Sequence, residues 1–354
     1  MLAQGFPDFP PPDGLARALD EAVRGGRNQY APLHGLAELR AAIAAQCERR
    51  DAQAPDPERE ITVTSGATEA LFDAVQAVVH PGDEVIILEP AYDAYAPAVT
   101  LAGGRVVPVA LSRPNFRPDV AALRAAIGPR TRLLILNTPH NPTGAVWPRE
   151  DLEAVADALS GSDALVLSDE VYEHITFTAD GHVSARAVPG LAERAFVVGS
   201  FGKTYHCTGW KVGYCIAPPE LSAELRKVHQ FVTFATPTPL QAAFAEYMEA
   251  EPGHPAALAS FYAAKRDRLL AWLADSRLAC PESAGTYFQL VDYSAISDQP
   301  DVEFCERLIH EAGVAAIPLS PFYDQAPKDL RQVRLCFAKQ DATLDAAGER
   351  LCRL

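Results

Sequence analysis

The sequence predicts an α/β fold: a large domain with a mostly parallel, seven-stranded sheet, followed by a smaller α+β domain. Two patterns carry this expectation. Between residues 61 and 216, short β-rich runs alternate with alanine-rich helical segments, the rhythm of a parallel sheet covered by helices. Beyond about Pro252 the rhythm changes to a long helical stretch that leads into short strands. A chain of 354 residues, 48% hydrophobic and 22% charged, is long and apolar enough for one large or two ordinary domains with a sizeable core.

The elements follow in order. Residues 1–14 are rich in Pro, Gly and Asp and predict no regular structure. Leu15 to Arg24 is apolar at helical spacing until Gly25-Gly26 stops it, and a second helix is expected from about Leu36 to Arg50. Seven strand runs come next: Ile61–Thr64, Val85–Leu88, Arg105–Val109, Leu133–Leu136, Ala164–Leu167, Phe196–Val198 and Val212–Ile216. Helical segments Glu69–Val79, Asp119–Ala126 and Arg149–Leu159 separate several of them. Only a Gly-containing loop joins the last two runs, so one of these is expected to be antiparallel. A long helix over Ala256–Ala274 then precedes strands near Tyr287–Val291 and Val333–Phe337. The expected division is a large domain over 31–251 and a small domain over 252–354, with the N-terminal segment 1–30 joined to the small domain.

Charge and cysteine usage exclude several function classes. A net charge of −15 with no Lys/Arg run argues against nucleic acid or an anionic membrane as partner, but a local pocket can still take a small anion. The seven cysteines are scattered and contain no C-x-x-C pair, which points to free thiols in a reducing compartment and to no metal site. The start, MLAQGFPDFPPPDG, lacks a basic region followed by an apolar stretch, and no apolar run reaches the length of a membrane span. A cytoplasmic location is expected.

Ligands in open parallel sheets bind beyond the carboxyl ends of the strands. After Ile61–Thr64 comes Ser65-Gly66-Ala67-Thr68, small residues whose amides can reach an anion at a helix start. Later strand ends deliver Glu89-Pro90-Ala91-Tyr92, then Asn137 to Gly144 containing Asn141-Pro142-Thr143-Gly144, then Ser168-Asp169-Glu170-Val171-Tyr172, then Gly199-Ser200-Phe201-Gly202-Lys203-Thr204. Each has a bland reading on its own: a helix start, a turn, an N-cap for Asp169, a solvated surface amine for Lys203. Together, five strand ends present anion-binding amides, an aromatic ring, an amide, a carboxylate with a phenol, and one of only six lysines in the chain. That convergence describes an active site.

The ordered set resembles the class I/II aminotransferases, the fold type I enzymes of pyridoxal phosphate. The resemblance spans nearly the whole chain, from Gln4-Gly5-Phe6-Pro7-Asp8-Phe9 through the motifs above to Arg334-Leu335-Cys336-Phe337-Ala338-Lys339. The stretch Thr208-Gly209-Trp210-Lys211-Val212-Gly213-Tyr214 is most similar to the methionine and kynurenine (glutamine transaminase K-like) branch. The resemblance implies that Lys203 carries the cofactor and moves the substrate proton. It implies that Asp169 pairs with the pyridine nitrogen, Tyr172 and Asn141 bond the ring oxygen, and Tyr92 stacks on the ring. The phosphate falls to the Ala67 and Thr68 amides, Ser200 and Lys211, where many relatives have Arg. Arg334 would clamp the substrate α-carboxylate, helped by Asn141 and the Gly5 backbone; its bland alternative is a strand-edge surface charge. Tyr30 would reach the phosphate of a neighbouring subunit, which implies a homodimer with shared sites.

The implied substrates are an L-amino acid and a 2-oxo acid. Dicarboxylate-specific relatives place a second arginine in the stretch that here reads Phe231 to Thr238, and no Lys or Arg occurs between Lys227 and Lys265. Phe231, Phe234 and Phe322 offer apolar surface instead, which predicts neutral, apolar or aromatic donors such as methionine, phenylalanine or kynurenine; ordinary core or interface packing is the competing reading of these rings. Family members carry a longer arm before the Ala-Gln-Gly-Phe-Pro-Asp-Phe motif. Here the motif begins at Ala3, so the expectation is either a start placed downstream or a site closed in another way. Two rival functions remain: a β-lyase for cysteine conjugates or cystathionine on the same cofactor, and a cofactor-sensing regulatory domain, which the acidic chain without room for a DNA-binding segment disfavours.

Overall fold

The computed structural model describes residues 1–354. Helices α1 (Asp13–Arg24) and α2 (Ala37–Asp51) precede an alternating region: β1 (Ile61–Thr64), α3 (Gly66–Val78), β2 (Glu84–Glu89), α4 (Tyr95–Leu101), β3 (Arg105–Ala110), α5 (Val120–Ala126), β4 (Thr131–Asn137), α6 (Arg149–Leu159), β5 (Leu165–Asp169), β6 (Ala195–Ser200), α7 (Phe201–Thr204) and β7 (Gly213–Ile216). Three helices follow, α8 (Pro219–Val232), α9 (Thr238–Ala250) and α10 (His254–Leu273). The chain closes with β8 (Phe288–Asp292), α11 (Asp301–Arg307), β9 (Ile317–Pro318), β10 (Gln332–Cys336) and α12 (Asp341–Leu351).

The large sheet has seven strands in the order β1-β7-β6-β5-β4-β2-β3. Strand β7 runs antiparallel to both its neighbours, and every other pair is parallel. Strands β1, β6 and β7 are buried along their whole length, as expected where helices cover both faces. Edge strand β3 is mostly exposed and carries Pro108, which blunts the free edge. The link between β6 and β7 is more than a loop: it contains the single turn α7 and a 3₁₀ turn at Thr208–Trp210.

A second sheet has the order β8-β10-β9, all antiparallel. Residues 2–9 lie against it. Leu2 donates to the Ala315 carbonyl at 3.0 Å, and Cys336 N–H donates to the Leu2 carbonyl at 2.8 Å. Helix α1 does not follow them. Its Leu15 and Ala18 pack with Phe244 and Met248 of α9 in a cluster that includes Ile61 and Val63 of β1. The expectation that 1–30 joins the small unit therefore fits only its first residues, because the apolar stripe of α1 faces α9.

Candidate active site

Five strand ends of the large sheet and the centre of β10 converge on one cavity of about 310 Å³. It is lined by Gly5, Ala67, Thr68, Tyr92, Asn141, Asp169, Tyr172, Ser200, Lys203, Lys211 and Arg334, together with Asn137 and Phe288. A wider groove of about 790 Å³ lies between α1, α2 and α9, where alanines and surface charges line it and no such set of groups converges.

Lys203 sits in the one-turn helix α7, directly after β6. Its Nζ makes no hydrogen bond or ion pair and stands 5.7 Å from the ring centroids of Tyr172 and Tyr287. Burial is the main reason its pKa falls to about 8, from a usual value near 10.5. Asp169 ends β5 and is buried. Tyr95 Oη donates to its Oδ2 at 2.6 Å, and Val171 N–H donates to Oδ1 at 3.3 Å. Burial lifts its carboxyl to about 6 despite these bonds; a cation beside it would reverse that shift.

The turn after β1 has the form of an anion cradle. Ser65 precedes α3, and the Glu69 carboxylate accepts the Ser65 N–H, which fixes the turn. Gly66 has φ +76°, a left-handed conformation that suits glycine, and lies under Lys211. Gly213 approaches so closely that a Cβ there would lie 2.7 Å from the Ala67 nitrogen. Lys211 Nζ reaches Thr68 Oγ1 at 3.4 Å, so an ammonium and the start of a 13-residue helix face the same space.

The opposite end of the cavity is set by Arg334 in β10. It is buried, has no carboxylate partner, and its Nε has no hydrogen-bond acceptor. Its Nη1 donates to Asn141 Oδ1 at 2.6 Å, and Asn141 N–H in turn donates to Asn137 Oδ1 at 2.8 Å. The guanidinium lies 3.9 Å from the Phe288 ring centroid and 5.2 Å from that of Phe322. A surface strand-edge charge is thereby excluded.

All of the sequence candidates except Tyr30, Phe231, Phe234 and Phe322 line this cavity. Phe322 borders it through Arg334. Tyr30 and Phe234 do not line it: both are exposed, 85% and 42%, and their rings meet edge-on at 5.4 Å on the surface. Phe234 lies two residues past the end of α8, with φ +70°, and its ring is on the surface. Three contributors escape the sequence reading. Tyr95 is three residues after Tyr92 in the same helical turn, a spacing that could have flagged it. Asn137 opens the quoted Asn137–Gly144 run without a role. Phe288 gives no signal, since it reads as an ordinary strand residue.

The chain belongs to the class I and II aminotransferases: the family model matches residues 1–351. It is an aminotransferase with the fold type I architecture. It is 54% identical over 354 residues to the methionine aminotransferase of Escherichia coli, covering 100% of this chain and 91% of that protein. The solved structure of an Escherichia coli protein with methionine aminotransferase function matches with a TM-score of 0.98 at 54% identity, over 100% of this chain and 93% of that one. A Mycobacterium tuberculosis N-succinyldiaminopimelate aminotransferase structure matches with a TM-score of 0.96 at 43% identity, over 99% and 92% of the two chains. Mouse kynurenine--oxoglutarate transaminase 1 is 38% identical, over 99% of this chain and 91% of that protein.

Proposed function

We propose that this chain moves the amino group of a neutral, apolar or aromatic L-amino acid to a 2-oxo acid by a ping-pong reaction, using pyridoxal phosphate attached at Lys203. Arg334 carries the reading: one buried guanidinium, without a carboxylate partner, stands in the same cavity as one half-buried amine of lowered pKa. The residues present fit the cofactor. The Ala67–Thr68 turn, Ser200 and Lys211 form an anion cradle, and Asp169 supplies a buried carboxylate in the same cavity.

When bound, pyridoxal phosphate supplies an electron sink next to the substrate Cα. With the cofactor bound, the Lys203 amine would be the base that takes the substrate Cα proton and holds it on Nζ. Asp169, held by Tyr95, would pair with the cofactor's ring nitrogen, Tyr172 and Asn141 would hydrogen-bond its ring oxygen, and Tyr92 would cover the ring. Arg334 fixes the α-carboxylate so that the Cα–H bond faces Lys203.

The side-chain specificity rests on what is missing. The stretch 231–238 holds no cation, and a carboxylate buried there would cost several kcal/mol. The names of the Escherichia coli and mouse relatives agree with an apolar or aromatic donor. Tyr30 and Phe234, exposed in one chain, complete the site of a partner subunit in a cytoplasmic homodimer. The two-unit division at about residue 252 belongs to the same proposal, with α1 assigned to the large unit. No helix is long and apolar enough to cross a membrane.

The test compares kcat/KM for methionine, phenylalanine, kynurenine, glutamine, aspartate and glutamate with one 2-oxo acid. Methionine, phenylalanine or kynurenine should lead. Aspartate or glutamate in front would mean that an unidentified cation lines the side-chain pocket.

A further inference from the structure

Lys339 is a buried cation that the active-site chemistry leaves unexplained. It is 4% exposed and has no carboxylate within ion-pair range. Its Nζ donates to the Phe6 carbonyl at 2.6 Å and to the Gln4 carbonyl at 3.4 Å, and it stands 4.6 Å from the Phe6 ring centroid. A buried ammonium without a counter-ion is costly unless its position serves something. Its ligands are the two residues on either side of Gly5, which lines the cavity.

The segment it grips is fixed from several directions. Tyr287 Oη donates to the Gly5 carbonyl at 2.6 Å. Gln340 N–H donates to Asp8 Oδ1 at 2.5 Å, and Thr343 Oγ1 donates to Asp8 Oδ2 at 3.1 Å. Phe288 packs so closely that a Cβ on Gly5 would lie 2.6 Å from its ring. The same ring stacks on Arg334, so Gly5 and the guanidinium share one wall. The carbonyls of Gln4, Gly5 and Phe6 are all engaged, whereas the Gly5 N–H has no acceptor within the chain.

That N–H belongs to the same peptide group as the Gln4 carbonyl. A cation on the carbonyl oxygen draws electron density through the amide and makes its N–H a stronger donor to an anion. We propose that Lys339 is a positioning residue that holds the Gln4–Gly5–Phe6 segment against the cavity and polarises the Gly5 N–H toward the substrate α-carboxylate. The inference rests on the aminotransferase reading above. What is new is that the strength of the Gly5 contact, which the family resemblance already implies, is set by a side chain that never touches substrate.

The test uses Lys339→Met and Lys339→Arg in the cofactor-loaded enzyme. Three ligands are compared: L-methionine, its analogue lacking the α-amino group (a carboxylic acid), and its analogue lacking the carboxylate (an amine). Lys339→Met should raise KM for methionine and weaken inhibition by the acid by about tenfold each. Binding of the amine and kcat should stay within about twofold, and Lys339→Arg should recover most of the acid affinity. Equal weakening of acid and amine, or no change in either, overturns the proposal. In the wild type, hydrogen exchange at the Gly5 amide should slow on adding the acid and not on adding the amine. An unprotected Gly5 amide overturns the proposal even if the methionine variant does not fold. Failure of the underlying reading looks different: wild-type enzyme would form no 2-oxo acid from methionine at all.

Discussion

Lys203, Asp169 and Arg334 are three ionisable groups made useful by burial, each in a different way. Burial lowers the Lys203 amine to about 8, so a sizeable fraction is unprotonated near neutrality and can attack or accept a proton. Lys203→Ala should reduce transamination at least about 10⁴-fold while the protein still binds cofactor non-covalently, because cradle and ring contacts come from other residues. Borohydride reduction of the wild type followed by peptide mass analysis should place the label on Lys203, and a label elsewhere contradicts the assignment. Asp169→Asn should lower kcat by about 10²–10³ and change KM little, since a neutral amide cannot hold the pyridinium proton. A changed KM with an unaltered kcat would remove Asp169 from that role. Lys203 and Asp169 were legible in the sequence because each closes an apolar run at a strand end of the parallel sheet, whereas Arg334, in the middle of antiparallel β10, was legible only through the family resemblance. Tyr95 and Phe288 were not, because their roles arise from packing between elements distant in sequence: α4 on β5, and β8 beside β10. Lys339 lay in plain view within the Arg334–Lys339 motif, but nothing local indicates that its amine turns toward residues 4–6.

At the scale of elements, the start of α3 is tied to its surroundings by one charged cluster. Glu69 accepts the Ser65 N–H on one side and faces His229 Nδ1 of α8 at 3.0 Å on the other. His229 Nε2 meets the Leu33 carbonyl at 3.0 Å, in the loop that carries Tyr30, and Asp73 lies 3.6 Å from Nδ1. Burial opposes the imidazolium, but the carboxylates of Asp73 and Glu69 beside it outweigh that and raise His229 to about 9. With a raised folded-state pKa, the stabilisation is fully present below pH 6.5 and is lost as pH rises through about 9. A shift of this size corresponds to roughly 3 kcal/mol. Thermal melts between pH 7 and 10 should therefore show Tm falling in the wild type, with a lower and flatter profile in His229→Gln. Parallel profiles would show that the cluster is not the source. Helices α8 and α9 and strand β9 lie outside the sequence reading for identifiable reasons. Segment 219–250 has helical periodicity but follows the last strand of the alternation. Strand β9 is two residues long and contains Pro318, so only its pairing with Val333 and Arg334 defines it.

On the scale of the whole molecule, Gly5 of the segment 2–9 lines the site, while Tyr30, Phe231 and Phe234 stand exposed outside it. Phe231 is 85% exposed, as is Tyr30, an arrangement expected of a surface that another chain covers. Light scattering on the purified protein should give the mass of two 38.1 kDa chains. Phe231→Asp should shift the mass toward one chain and lower cofactor retention together, if Tyr30 serves the partner's phosphate. Dissociation with full cofactor retention would separate Tyr30 from the site. The central claim, that Lys203 and Arg334 serve amino transfer to and from a bound cofactor, is tested most directly by a half-reaction. L-Methionine is added to the yellow enzyme without any 2-oxo acid. The account predicts loss of the yellow band, one equivalent of the 2-oxo acid of methionine per chain, no ammonia, and return of the band on adding a 2-oxo acid. Release of ammonia over many turnovers, or no spectral change with any neutral amino acid, would contradict it.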